Sequence, residues 1–158
     1  LTDGLFSTYA SSVLPGFELE WQGPRGRFIH TAPASPLLFV ATGAGLAPVY
    51  GIIRDELHNK KNTEAMQLLF GVRSEEDIFW LSELETLQNQ FSNFSYSITL
   101  SRPGSSWAGH QGRVTVHLPK AKLDQHVYVC GSAEMVKDVR SLLLERGLPQ
   151  EKLHFEIF

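Results

Sequence analysis

The feature that most constrains the fold of this sequence is an alternation, from Leu37 onward, of short apolar runs with longer segments of helical periodicity. Short apolar runs are typical of buried strands, and strands that alternate with helices form a parallel sheet with helices on its faces. We therefore expect an α/β domain with a doubly wound, five-stranded parallel sheet. The predicted strands are residues 37–41, 68–70, 94–100, 127–130 and 153–158.

Three segments between these strands place apolar side chains on one helical face. Ser74 and Asp77 have the spacing of a capping box, and Ser132 is placed to cap the last helix. Gly147, followed by Pro149, predicts the end of that helix. The apolar positions are Leu46, Val49, Tyr50, Ile53 and Leu57 in the first segment, Trp80, Leu84, Leu87 and Phe91 in the second, and Met135, Val139, Leu142 and Leu143 in the third.

The residues before Leu37 have a different character. Residues 17–21 and 27–30 are predicted to form two strands around the turn Gly23-Pro24-Arg25-Gly26, and prolines at positions 33 and 36 mark a linker. Two strands alone are marginally stable, so this segment is expected to be part of something larger. We expect a small N-terminal unit at residues 1–33 and the α/β domain at residues 34–158.

Composition limits the function classes. The chain has 158 residues and a formal net charge of −3, without a basic run that would indicate a nucleic-acid partner. Its one cysteine excludes an internal disulfide and cannot by itself hold an ordinary iron-sulfur cluster. The six histidines lack metal-ligand spacing. No segment has the pattern of a membrane span or signal peptide, so we expect a cytoplasmic protein, and the start at Leu1 suggests a fragment.

The strongest local signal is the glycine loop Thr42-Gly43-Ala44-Gly45-Leu46-Ala47-Pro48 between the first strand and the first helix. Glycines allow a tight turn and a close approach to a pyrophosphate, whose charge the helix N-terminus attracts. Pro48 suits a first helical turn, where a missing N–H costs little. The alternative is an ordinary tight turn, but a strand before the loop and a helix after it favour phosphate binding.

Ser101 and Arg102 end the third predicted strand, at the edge where open α/β sheets bind ligands. A guanidinium with a hydroxyl could hold the 2′-phosphate that separates NADPH from NADH. The alternative is a solvated loop arginine, because exposed arginine is common on any surface. A second glycine-rich stretch, residues 104–112 with Trp107, follows in the sequence and could equally be an ordinary loop.

Cys130 ends the fourth predicted strand, so we expect its thiol at the same edge as the glycine loop, although a free cysteine is more often a small buried apolar group. In the last strand, alternation places His154, Glu156 and Phe158 on one face. A carboxylate and an aromatic ring therefore end the chain together. Without another signal, Glu156 would be solvated and Phe158 frayed.

Seven short motifs follow one another over nearly the whole chain. They are Gly4-x-x-Ser7, Gly23-Pro24-x-Gly26-x-Phe28, the loop from Thr42 to Pro48, Phe70-Gly71-Val72-Arg73, Trp107-x-Gly109-x-x-Gly112-x-Val114, Cys130-Gly131-x-x-x-Met135-Val136, and Glu156-Ile157-Phe158. Together they resemble the ferredoxin-NADP reductase superfamily, including the reductase components of bacterial aromatic-ring oxygenases. In that family FAD lies between an antiparallel barrel and the α/β domain, and takes a hydride from NAD(P)H before electrons leave singly.

The resemblance implies a role for each matching residue. Gly4 and Ser7 resemble the helix start that holds the flavin pyrophosphate, and the segment from Gly43 to Pro48 resembles the pyrophosphate loop of the nicotinamide dinucleotide. Cys130 and Glu156 resemble the pair beside the nicotinamide. Phe158 resembles the terminal aromatic residue that stacks on the flavin, which would make it the natural C-terminus. The remaining cofactor-binding positions are Thr42, Gly45, Arg73, Ser101, Arg102, Trp107, Gly109, Gly112, Gly131 and Met135.

The family's Arg-x-Tyr-Ser flavin motif does not occur in this sequence, so residues 1–33 are expected to be a remnant of the flavin-binding barrel. Three functions follow as alternatives. The first is part of an FAD-dependent NAD(P)H reductase that passes electrons to an iron-sulfur protein or domain. The second is a module that binds the nicotinamide dinucleotide without turning it over, and the third is an interaction subunit of a larger redox assembly.

Overall fold

A computed structural model of the chain describes residues 4–23, 25–120 and 124–158, and six strands form within these ranges. The strands are β1 (Leu37–Thr42), β2 (Met66–Val72), β3 (Phe94–Leu100), β4 (His110–Gln111), β5 (His126–Gly131) and β6 (Leu153–Ile157). The helices are α1 (Leu5–Ser12), α2 (Leu46–Arg54), α3 (Leu81–Gln90) and α4 (Ala133–Glu145). A π-helical segment, Asp55–Asn59, extends α2, and short 3₁₀ turns cover Gly43–Gly45, Glu75–Asp77 and Gln150–Lys152.

The strands form one sheet in the order β4-β3-β2-β1-β5-β6, and all neighbouring pairs are parallel. The chain moves outward from β1 through β2 and β3 to β4, then crosses back to β5 on the other side of β1. The sheet therefore has a topological switch point between β1 and β5, which is where open α/β sheets bind ligands. The predicted fold class, a doubly wound parallel α/β sheet, is confirmed.

The apolar side chains of the strands divide between two cores, one on each face of the sheet. Helices α2 and α3 cover the first core, which contains Phe39, Phe70 and Tyr128. Helix α4 covers the second, which contains Val40, Val129 and Val139. Strand β1 is buried on both faces, which is why its sequence is continuously apolar rather than alternating.

The predicted number of five strands was wrong, because β4 was missed. This strand has only two residues, His110 and Gln111, and both are exposed. It pairs with the end of β3 at the sheet edge, where the Gly112 N–H donates to the Leu100 carbonyl oxygen at 2.7 Å. A polar two-residue strand has no hydrophobic pattern, so its sequence cannot be distinguished from a loop.

The two strands predicted at residues 17–21 and 27–30 do not form. The described residues on either side of position 24 have no ladder partner, and the edges of the sheet are β4 and β6. Alternating apolar residues form a strand only where another strand satisfies their backbone groups. Instead, Phe28 packs edge-on against Tyr128 with ring centroids 5.5 Å apart. The chain around Phe28, which leads into the linker, therefore lies against the α/β domain.

The predicted helix signals are found in the structure. Ser74 and Asp77 form a reciprocal capping box, although it caps the 3₁₀ turn Glu75–Asp77 and α3 begins only at Leu81. The Ser132 hydroxyl accepts a hydrogen bond from the Met135 N–H at the start of α4. Gly147 follows α4 with φ of +87°, the left-handed conformation that ends a helix. Among the described residues, no helix is long and apolar enough to cross a membrane.

Candidate functional site

The carboxyl ends of β1 and β5 approach each other so closely that only glycine fits between them. A Cβ atom on Gly45 would overlap the carbonyl group of Cys130, with the carbonyl carbon 2.5 Å away. On the opposite side, a Cβ on Gly131 would overlap the Thr42 hydroxyl and lie 2.7 Å from Met135 Cε. Glycines at Gly45 and Gly131 therefore allow the ends of the two strands to pack directly against each other at the switch point of the sheet, the place where open α/β sheets bind dinucleotides.

Helix α2 begins directly at this surface. Its first turn contains no acidic side chain, so the partial positive charge of its N-terminus is not neutralised locally. Gly43 has φ of +52°, which turns the chain from β1 into the helix. Pro48 lies in the first helical turn, as predicted. Free amides, a positive helix end and a tight turn together suit a pyrophosphate group.

The register of β5 and β6 brings the three predicted catalytic residues to the same edge. Cys130 is directly opposite Glu156 in the ladder, and the Phe158 N–H donates to the Gly131 carbonyl oxygen at 3.1 Å. Phe158 is 65% exposed, so its ring is free to meet a neighbouring group, whereas Cys130 is fully buried. The parallel ladder explains how residues 26 positions apart in the sequence become neighbours.

The electrostatic surroundings keep the Cys130 thiol neutral. Burial is the main reason that its pKa rises to about 12, and the nearby charge of Glu156 acts in the same direction. At neutral pH the group is therefore a thiol rather than a thiolate. It packs within the hydrophobic core in this structure and is not suited to act as a nucleophile or to bind a metal ion.

The loops after β2 and β3 bring Arg73 next to Ser101 and Arg102. The Arg102 N–H donates to the Arg73 carbonyl oxygen at 2.7 Å, and the Ser101 N–H donates to the Val72 carbonyl oxygen at 3.1 Å. All three predicted binding side chains are exposed at the carboxyl edge of the sheet. Arg73 and Arg102 lie in separate stretches of the sequence, and the strand pairing brings their backbones together at this edge.

Trp107 is fixed within the glycine-rich loop that follows. Its indole Nε1 donates to the His110 carbonyl oxygen at 2.9 Å, and a Cβ on Gly109 would lie 2.5 Å from the ring atom Cζ2. Gly112, with φ of +112°, leads out of β4, and its carbonyl oxygen accepts from the Thr99 hydroxyl at 2.7 Å. Gly109 thus leaves room for the indole ring, whereas Gly112 fixes the path of the chain after β4.

The structure does not unite every predicted position. Gly4 is the N-cap of α1, and Ser7 lies in its first turn, as expected for a helix start. However, all eight residues of α1 are exposed, so this helix is not packed onto the carboxyl edge of the sheet. Pro24, in the second motif, lies outside the described residues.

Two groups of polar residues join separate segments of the chain, and the sequence does not predict either group. Glu75 accepts hydrogen bonds from the Gly104 N–H, and thereby joins the loops after β2 and β3. Glu56, which is buried, lies 2.9 Å from His30 Nδ1 and 2.6 Å from Lys60 Nζ, while Lys60 also donates to the His30 carbonyl oxygen. The helical spacing of Glu56 and Lys60 was a signal for the second group, but nothing local pointed to His30.

Within the described parts of the chain, no cluster of three histidine, cysteine or acidic side chains could hold a metal ion. Besides Cys130 and Glu156, the carboxyl edge presents backbone amides, hydroxyls and guanidinium groups. Amides, hydroxyls and guanidinium groups are donors that bind phosphates. The glycine loop and the N-terminus of α2 have the groups that hold a pyrophosphate. Of the described positions that the resemblance assigns to the flavin, Gly4 and Ser7 lie at the start of the exposed α1, and Phe158 follows β6.

Comparisons with known proteins identify the family of the chain. The family described as "Oxidoreductase NAD-binding domain" matches residues 39–141. Ferredoxin-NADP reductase B of Sorangium cellulosum is 38% identical, over 97% of this chain and 67% of its own length. One component of the Na⁺-translocating NADH-quinone reductase of Pasteurella multocida is 30% identical, over 98% of this chain and 40% of its own length.

A solved structure shows the same fold. The ferredoxin NADP⁺ reductase from Neisseria gonorrhoeae, with bound FAD and NADP, superposes with a TM-score of 0.74 at 19% identity, over 99% of this chain and 71% of that one. The chain thus spans 67% of the length of one curated relative and 40% of the other. Its sheet topology, its glycine-lined switch point and these matches lead to one assignment. The chain belongs to the oxidoreductase NAD-binding domain family and to the ferredoxin-NADP reductase superfamily, whose cofactors are FAD and NAD(P)H.

Proposed function

We propose that this chain binds NAD(P)H at the edge between β1 and β5, as the nicotinamide-binding part of an FAD-dependent reductase. The observation that carries the proposal is the close approach of Gly45 to Cys130 and of Gly131 to Thr42. This close packing places the glycine loop and the N-terminus of α2 at the switch point of the sheet, where open α/β sheets bind dinucleotides. The predicted boundary between a flavin-domain remnant at residues 1–33 and the nicotinamide-binding domain at residues 34–158 is part of this proposal.

In this arrangement the residues divide the dinucleotide between them. The N-terminal turn of α2, from Gly43 to Pro48, would hold the pyrophosphate through its amides. Cys130 and Glu156 would border the nicotinamide, with the thiol kept protonated by burial. Phe158 would cover the nicotinamide position until the coenzyme arrives. Arg73, Ser101 and Arg102 would lie at the adenosine end, with Trp107 beside them, and Gly109, Gly112 and Met135 would support these groups.

When FAD is bound, it supplies the hydride-accepting chemistry that the side chains of this chain lack. The contribution of the chain is to hold the coenzyme in one orientation and to keep water away from its reacting end. An iron-sulfur protein or domain is the proposed electron acceptor. The cytoplasm is the proposed compartment, because the single cysteine has no partner for a disulfide.

The choice between NADPH and NADH depends on the adenosine end of the site. Arg102 and Arg73 favour NADPH, since two guanidinium groups suit a 2′-phosphate. The names of the two curated relatives point in different directions, because one contains NADP and the other NADH. The affinities of the chain for the two coenzymes decide this question.

A second function is favoured by the N-terminal residues. Residues 4–23 form one exposed helix and no strand, so nothing in the described chain encloses a flavin. On this observation, the chain alone would be a module that binds the coenzyme without turnover. The two functions are separated by whether the chain reduces a dye with NAD(P)H when FAD is added.

The proposal is tested by calorimetric titration of this chain with NADPH, NADH and FAD, followed by titration with each coenzyme in the presence of FAD. We expect saturable binding of at least one coenzyme without FAD. Dye reduction after the addition of FAD would indicate the complete reductase function, and its absence would indicate the binding module. If neither coenzyme binds, with or without FAD, the proposed function is wrong.

A further inference from the structure

The two loops that carry Arg73 and Arg102 are joined by backbone hydrogen bonds only at their beginnings. Ser101 and Arg102 donate to the carbonyl oxygens of Val72 and Arg73, which continues the pairing of β2 with β3 by two residues. Beyond Arg102 this pattern stops, and the loop turns away through Pro103 and Gly104. A loop that projects from a sheet needs another contact to hold one conformation.

Glu75 supplies that contact. The Gly104 N–H lies 3.0 Å from Glu75 Oε1 and 3.2 Å from Oε2, so both carboxylate oxygens face one amide. The Gly104 carbonyl oxygen in turn accepts a hydrogen bond from the Trp107 N–H at 3.2 Å. A continuous series of hydrogen bonds therefore runs from Glu75 through Gly104 to the backbone of Trp107.

The backbone of Glu75 is itself held in place. It is the first residue of the 3₁₀ turn Glu75–Asp77, which the capping box closes: the Ser74 N–H and hydroxyl both donate to Asp77 Oδ2, at 3.0 and 2.9 Å. These hydrogen bonds lower the pKa of Asp77, so its carboxylate stays charged at neutral pH. The fit is also close at the other end, because a Cβ on Gly104 would lie 3.1 Å from Glu75 Oε1.

We propose that Glu75 is a positioning residue for coenzyme recognition, which holds the loop from Ser101 to Trp107 in its binding conformation through Gly104. The inference rests on the proposed function, since it assigns the support of the same site. A hydrogen bond from an amide to a carboxylate is stronger than one between neutral groups, and it fixes the loop before the coenzyme arrives. The free energy of ordering the loop is then not taken from the binding free energy.

The test uses this chain in four forms: wild type, Glu75→Ala, Glu75→Gln and Glu76→Ala. Glutamine keeps an oxygen acceptor for the Gly104 N–H but removes the charge. Glu76→Ala removes an equal charge from a neighbouring residue that has no part in the proposed binding site. Amide hydrogen exchange at Gly104 and Trp107 is measured without nucleotide, and NADPH and NADH affinities are measured by calorimetry.

Glu75→Ala is expected to speed exchange at Gly104 and to weaken the affinity for the preferred coenzyme, each by about threefold to tenfold. Glu75→Gln is expected to keep most of the wild-type exchange protection and coenzyme affinity, and Glu76→Ala is expected to match the wild type in both. Wild-type affinity and exchange in Glu75→Ala would overturn the inference, as would a loss of affinity in Glu75→Gln equal to that in Glu75→Ala. If the wild type binds neither coenzyme, the proposed function fails. Separately, unchanged amide exchange at Gly104 in Glu75→Ala would show that Glu75 does not hold the loop.

Discussion

At the scale of single residues, Phe158 shows how an exposed apolar side chain differs from a stabilising one. Its ring is 65% exposed at the end of β6, yet its backbone is hydrogen-bonded to Gly131 beside the proposed nicotinamide position. Cys130 is the opposite case, because its side chain is fully buried and this burial raises its pKa, so the thiol stays neutral. The first residue is therefore expected to affect binding, and the second to affect both binding and stability.

Phe158→Ser is expected to leave the free energy of unfolding within about 0.5 kcal/mol of the wild type, because little contact area is lost. The same substitution should tighten coenzyme binding, since a ring that must move aside no longer occupies the nicotinamide position. Thermal unfolding and calorimetric titration measure the two effects. Phe155→Ser is the matched control: Phe155 is also exposed on β6 but lies under Arg140 on the other face, and its loss should leave the affinity unchanged. Equal affinities in the wild type and Phe158→Ser would contradict the proposed role of the ring.

At the scale of elements, two glycines at α2 have opposite requirements, one at the N-cap and one inside the helix. Gly45 precedes the helix and meets the Cys130 carbonyl group, whereas Gly51 lies within the helix, where an added Cβ would have no other atom within 4 Å. The first glycine is required by a close backbone approach. The second only lowers the stability of the helix, because glycine has more conformational freedom to lose than alanine.

Gly51→Ala is expected to raise the free energy of unfolding by about 0.5–1 kcal/mol and to leave coenzyme affinity unchanged. Gly45→Ala is expected to lower it by roughly 1–3 kcal/mol, as overpacking in a rigid region does, and to abolish coenzyme binding. Denaturant unfolding and calorimetry compare the two variants directly. Normal coenzyme binding by Gly45→Ala would show that the close approach is not part of the binding surface.

At the scale of the whole molecule, the histidines at the amino end of the sheet link stability to pH. His126 Nδ1 and His154 Nε2 are 3.0 Å apart, so one ring must accept a hydrogen bond from the other. Burial lowers the pKa of both groups below the ordinary value of 6.5. His30 acts in the same direction on both rings, Lys152 does so on His126, and His126 does so on His154. The Glu56 carboxylate contacts His30. Tyr128 stacks on His154 and closes the cluster, with ring centroids 4.5 Å apart.

A lowered pKa in the folded state means that the unfolded chain binds more protons, so stability falls as pH decreases below about 6.5. The stability that the neutral His126 and His154 rings contribute is fully present above that pH. It is lost as the pH falls through the pKa values of these groups in the folded state. Denaturant unfolding between pH 7.5 and 5 is expected to show this slope, and His154→Gln is expected to reduce it. His110→Gln, at the opposite edge of the sheet, is the control and should keep the wild-type slope. An unchanged slope in His154→Gln would contradict the assignment.

The sequence predicts the fold wherever the signal is local and periodic. Helices α2, α3 and α4 and the five longer strands follow from apolar spacing, whereas the start of α1 is implied only by the family resemblance. The glycine loop follows from its position between a strand and a helix. Strand β4 has only two residues and neither is apolar, so its sequence gives no strand signal. Residues 17–21 alternate apolar and polar side chains but have no partner strand, so their pattern wrongly predicts a strand. Glu75 and Gly104 are 29 residues apart, and His30 and Glu56 meet only because the linker lies against the helical segment that extends α2. Contacts of that kind depend on the fold and have no local signature.

The central claim is that a nicotinamide dinucleotide binds at the switch point between β1 and β5. Amide chemical-shift mapping of this chain during titration with NADPH, and separately with NADH, tests it most directly. We expect the largest perturbations at Gly43, Gly45 and Gly131, with smaller ones at Arg102 and Trp107. Perturbations concentrated in the groove between α2 and α3, around Arg54 and Thr86, would contradict the claim, as would the absence of any perturbation at saturating coenzyme.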